Sequence, residues 1–104
     1  MRNIINRKVY DTATAEWIYD TSNGNGVSDF GFQRSALYRT KRGAWFLAGN
    51  GGPMSRFSRT LSDRSRIEGS GCIPLTPADA LAELERHNAG EEIDRHLSTL
   101  VEEA

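Results

Sequence analysis

At 104 residues and 11.6 kDa the chain has room for one hydrophobic core and too little for a core plus a deep, walled active site, which favours a binding surface. Mean hydropathy of -0.56 and 38% hydrophobic residues leave no run able to span a bilayer, while nine aromatic residues supply bulky anchors for a thin folded core rather than disorder. Net charge of -1 conceals a separation: positions 1–66 carry eleven bases against five acids, a net +6, and positions 67–104 carry two bases against nine acids, a net -7.

Such halves either attract each other within one fold or present two opposite surfaces to partners. The single cysteine, Cys72, cannot close an internal disulfide or build a Cys-rich zinc site, and it reads as a small buried apolar residue. The first residues, MRNIINRK, lack the apolar stretch of a signal peptide, so a cytoplasmic location is expected. We read one domain over 1–104, with a basic, β-rich part at 1–75 and an acidic, helical part at 76–104.

Residues 7–10 form the first predicted strand. The oxygens of Asp11, Thr12 and Thr14 suit a turn, and 16–21, rich in aromatic and β-branched residues, pairs back as a hairpin, with Trp17 and Tyr19 on one face and Ile18 on the other. Asn and Gly at 23–26 mark a loop, and Phe30 and Phe32 share one face of a third strand or extended connector. The strongest strand signals are 36–40 and 44–48, joined at Lys41-Arg42-Gly43 with Gly43 in the left-handed position. Their apolar residues fall on both faces, which places this hairpin at the centre of the sheet, covered by helix on one side and by loops or a partner on the other.

Gly49-Asn50-Gly51-Gly52 reads as a loop and Pro53 as the first residue of a brief helix over 54–58. Positions 59–71 read as a mobile surface loop, and 72–75 as a short strand that Pro74 places at a sheet edge. Thr76-Pro77-Ala78-Asp79 carries the chemistry of a helix start, and the helix to about His87 turns Ala80, Leu81 and Leu84 inward and Glu83 and Glu85 outward. Asn88-Ala89-Gly90 stops it. A second helix over 91–101 buries Ile93, Leu97 and Leu100 or Val101. The expected fold is therefore α+β: a small antiparallel sheet of about four to five strands with two C-terminal helices.

The glycine run lacks the lysine and hydroxyl of a P-loop and the spacing of a dinucleotide fingerprint, so a tight turn is its expected role. His87 and His96 have no second ligand at helical metal spacing, and the serines of 55–70 have no neighbouring base, so we expect no metal, no cofactor and no catalysis. Two surfaces remain as candidates. The basic face comprises Arg39, Lys41, Arg42, Arg56 and Arg59 among aromatic residues, a composition suited to phosphates and bases. The acidic face comprises Glu83, Glu91, Glu92 and Asp94, carboxylates that can imitate a phosphate row in a basic groove.

Five segments carry a resemblance: KVYDTATA at 8–15, SDF at 28–30, LYRTK at 37–41, WFLAGNGGP at 45–53 and IPLT at 73–76. In these the chain resembles a family of small proteins of bacterial mobile elements and prophages, some of which act as anti-CRISPR proteins. The resemblance implies an inhibitor that binds a CRISPR effector protein or ribonucleoprotein stoichiometrically, blocking guide loading, target binding, cleavage or nuclease recruitment. The alternative is a nucleic-acid-binding accessory or regulatory protein of a mobile element. No membrane partner is expected, and a homodimer is compatible with either reading.

Overall fold

The computed structural model describes all residues, Met1–Ala104. Its strands are β1 (Arg2–Ile5), β2 (Lys8–Asp11), β3 (Glu16–Asp20), β4 (Gln33–Arg39), β5 (Trp45–Gly51), β6 (Arg59–Thr60), β7 (Arg66–Ile67) and β8 (Gly69–Leu75). Helices α1 (Pro77–Arg86) and α2 (Gly90–His96) follow, with a 3-10 turn at Ser98–Leu100. The fold is α+β, and its main sheet is antiparallel and four-stranded in the order β3-β4-β5-β8.

Alternation along the two central strands sorts the core into two layers. Leu37, Trp45, Leu47 and Ile73 face α1 and α2, where they meet Ala80, Leu84, Ala89 and Leu97. Tyr38, Phe46, Ala48 and Cys72 face the other way and are covered by Tyr10 and Ile5 of the N-terminal hairpin. Phe46 stacks on Tyr38 at 5.3 Å and makes a T-shaped contact with Tyr10 at 5.4 Å. The cover on the second face is thus the chain's own N-terminal hairpin rather than loops.

This hairpin corrects the expected pairing. Strand β2 pairs with β1, register Ile5↔Lys8, through a two-residue turn in which Asn6 and Arg7 both hold positive φ, 52° and 66°. That geometry matches the right-handed twist of the flanking strands. Strand β3 instead pairs with β4, and the register slips between Trp17 and Tyr19. The bulge at Ile18 turns both Ile18 and Tyr19 toward the helices and leaves Trp17 outside. Phe30 and Phe32 lie in a turn that precedes β4, and Phe30 is exposed.

The β4–β5 turn forms as expected, with Thr40 N–H donating to Ala44 O at 2.8 Å and Gly43 at φ 88°. Gly49-Asn50-Gly51, expected as a loop, continues β5 and pairs with Gly69-Ser70-Gly71 of β8. The glycines are there for close approach: a Cβ at Gly49 would overlap the Arg34 carbonyl, and one at Gly51 would overlap the Ser55 hydroxyl. The segment after Pro53 makes consecutive turns rather than a helix. It crosses the sheet end tightly enough to insert Phe57 into the helix-side core, with Ser55 Oγ accepting from Phe57 N–H at 3.2 Å and donating to Gly52 O at 2.8 Å. The expected loop at 59–71 is ordered as the β6–β7 hairpin and the start of β8.

Thr76 caps α1, its hydroxyl accepting from Asp79 N–H at 3.1 Å, and Pro77 opens the first turn. Asn88, at φ 57°, closes it: Ala89 N–H donates to Leu84 O and Asn88 N–H to Glu85 O, a Schellman closure with Ala89 and Leu84 packed together in the core. The second helix ends at His96, earlier than expected, and Leu100 and Val101 are exposed. No helix is long and apolar enough to cross a membrane.

Candidate functional site

Two hairpin turns meet at one end of the sheet. The β1–β2 turn brings Arg7 and Lys8 beside the β4–β5 turn, and a groove of about 510 Å³ is walled by Arg7, Lys8, Val9, Tyr10, Thr40 and Arg42. A second groove of about 550 Å³ runs from Thr40, Lys41 and Arg42 to Arg39 and Glu16. Arg7 and Lys8 were absent from the sequence-based candidates, because their place beside Arg42 depends on the hairpin folding over the sheet. The available signal was a basic pair next to Asn6, a residue suited to a tight turn.

The five basic candidates divide. Lys41 and Arg42 are exposed at this end and in no ion pair. Arg39 leans back: its guanidinium lies 5.3 Å from the centre of the Trp45 ring, and its buried Nε has no acceptor. The same Trp45 ring makes a T-shaped contact with His96, at 5.9 Å, where α2 ends. Arg59 lines a different groove, of about 580 Å³, with Asn50, Glu68 and Ser70 at the opposite end of β5 and β8. Arg56 is also at that far end, paired to Glu83.

The acidic candidates divide as well. Glu83, expected outward, is 3% exposed, and its Oε1 accepts from Arg56 and, at 3.0 Å, from Arg86. Helical spacing explains the correction, since Glu83 follows Ala80 by three and adjoins Leu84, within the stripe that packs on the sheet. Arg56 is the partner that makes a carboxylate tolerable there. Glu91 and Asp94 are exposed and Glu92 is half-buried on α2, all without ion pairs. Of the eleven bases in the first 66 residues, only Arg56 is ion-paired, so direct ion pairing joins the two halves at one point alone.

Elsewhere the chemistry is quiet. No three His, Cys, Asp or Glu side chains converge on a point that could hold a metal. Burial pushes the Cys72 thiol up from its ordinary value, so it is a poor nucleophile, and its Sγ lies 3.8 Å from Tyr10 O. Asp20 is held below the usual carboxylate range by the Ser22 backbone N–H, at 2.8 Å, and by the Ser22 side chain, with a smaller contribution from His87. Comparisons with known families, with curated proteins and with solved structures return no match.

Proposed function

We propose that the chain is a stoichiometric inhibitor of a CRISPR effector, of the anti-CRISPR kind its sequence resembles, and that it engages the effector through its basic end. The observation that carries this reading is the convergence of Arg7, Lys8, Lys41 and Arg42, all exposed and without ion pairs, on two short hairpin turns. Short turns on a layered sheet fix the backbone that carries these cations before binding, which lowers part of the ordering cost of association. An effector ribonucleoprotein offers the matching charge, and complementary potentials speed encounter.

The test is co-elution of the purified protein with an effector ribonucleoprotein and loss of target cleavage at a near-equimolar ratio. Absence of co-elution across the effector types of the host ends this reading. The second reading, an accessory protein that binds nucleic acid on its own, is favoured by the same grooves if oligonucleotides are bound and no effector is.

A further inference from the structure

The two grooves at the basic end share Thr40 and Arg42 in their walls. They therefore adjoin at the β4–β5 turn, with Arg7 and Lys8 on one side of Arg42 and Lys41 on the other, and together make up a shallow basic track. Trp17, one residue along β3 from the wall residue Glu16 and across from Tyr38, lines neither groove itself and is 56% exposed at the sheet edge beside them. Every other large ring near this end is engaged: Tyr10, Tyr38 and Phe46 with one another, and Trp45 with Arg39 and His96. Trp17 makes no ring pair.

We infer that this track binds a single strand of nucleic acid, with phosphates along Lys8, Arg7, Arg42 and Lys41 and one base stacked on Trp17. The inference rests on the basic end being the interaction surface and adds the class of ligand it takes. Unpaired cations in a row track a backbone, and an exposed ring at the edge offers a platform that any unpaired base can use. A duplex fits less well. Readers of double-stranded DNA insert a helix or a free two-stranded ribbon into the major groove. Here the β4–β5 ribbon is flanked by β3 and β8 and covered on both faces, so only its turn projects. An acidic protein patch would use the cations and leave Trp17 without a role.

The test is fluorescence anisotropy of the full chain with labelled oligothymidylate and oligouridylate of about 20 nucleotides, longer than a typical single-strand site, and with a duplex of equal length. Four phosphate contacts give a salt slope of about -3 between roughly 50 and 200 mM salt. Lys8→Gln and Arg42→Gln each flatten that slope by about 0.7. Arg34→Gln, an exposed cation at the other end of β4, leaves it unchanged. Trp17→Ala weakens binding about tenfold with the slope intact.

The inference is overturned if no single strand binds, if the duplex binds as tightly, if Arg34→Gln flattens the slope as much as Arg42→Gln, or if Trp17→Ala is without effect. Its failure is separable from that of the proposed function. Effector capture without oligonucleotide binding overturns the single-strand site alone, and oligonucleotide binding without capture supports it while overturning the inhibitor.

Discussion

Arg56 and Glu83 form the only ion pair between the basic and acidic parts of the chain, and they join the turn segment after β5 to the buried stripe of α1. Glu83→Ala leaves Arg56 and Arg86 without their shared acceptor. Arg56→Ala leaves a 97% buried carboxylate with Arg86 alone, since Glu83 is 3% exposed. Breaking a fully buried pair costs about 3–5 kcal/mol, and partial exposure of both arginines lowers this to about 1–3 kcal/mol. Each single variant therefore melts about 5–15 °C lower by circular dichroism. The double variant Arg56→Ala/Glu83→Ala loses less than the sum of the two. Additive losses would show that the pair is not coupled.

The glycine run supplies a second prediction. Gly49→Ala and Gly51→Ala force a methyl group into the Arg34 carbonyl and the Ser55 hydroxyl, whereas Gly26→Ala places it in open space. The first two lose about 2 kcal/mol or more and the third changes stability little. Urea titration distinguishes them. Equal tolerance at all three positions would return these residues to the loop that the sequence suggests.

The same run shows where the sequence was legible. Gly43 in a turn, Pro74 on an edge strand and the Thr76-Pro77 cap were readable because each depends on local backbone chemistry alone. Gly49-Asn50-Gly51 was misread because its role is set by Gly69-Ser70-Gly71, twenty residues away. The matching spacing of the two triplets was the only trace. Glu83 was misread for a related reason, since its partner Arg56 lies 27 residues earlier. Helical spacing could have flagged it as inward, but nothing local identified what would neutralise it. The basic end was half legible: Lys41 and Arg42 followed from the turn, while Arg7 and Lys8 joined them only through the N-terminal hairpin.

That hairpin layer is testable through Cys72. The Tyr10 ring covers Phe46 in the same buried cluster as Cys72, while its backbone carbonyl accepts from the thiol. Tyr10→Ala removes a buried aromatic side chain, costs about 3 kcal/mol and opens the second core face. In the parent, Cys72 reacts with iodoacetamide far more slowly than in urea, because the thiol is buried and its pKa is raised. In Tyr10→Ala the native rate rises toward the unfolded one. Unchanged protection would mean that the hairpin does not seal this face.

Asp20 sets a pH dependence with a definite sign. Its pKa is lowered from the ordinary 3.8 in the folded chain, chiefly by the Ser22 backbone N–H. The ionised form therefore favours folding above the unfolded value, and the contribution is lost as pH falls through the folded pKa. Asp20→Asn is less stable than the parent at pH 7, and the gap closes in acid. The carboxylate is exposed, so the effect is small. Urea midpoints at pH 7 and below pH 4 measure it, and a gap that widens in acid contradicts the assignment.

The two charged faces make opposite predictions for inhibition. Arg39 is held over Trp45, so its reversal would perturb the helix-side core as well as the surface, and Lys41 and Arg42 are the cleaner probes. Lys41→Glu/Arg42→Glu removes two exposed cations and adds two anions at the centre of the track, while leaving every ion pair in the fold intact. Glu91→Lys/Glu92→Lys/Asp94→Lys does the same to α2, with Glu83 left in place because its carboxylate is structural. If the basic end meets the effector, the first variant loses inhibition by at least tenfold, mainly through slower association, and the second keeps it. The reverse result would assign the effector contact to the acidic helix. Retention by both variants would exclude both surfaces, leaving the exposed Phe30 and Met54, whose loops are joined by Met54 N–H donating to Phe30 O at 2.8 Å, as the next surface to vary.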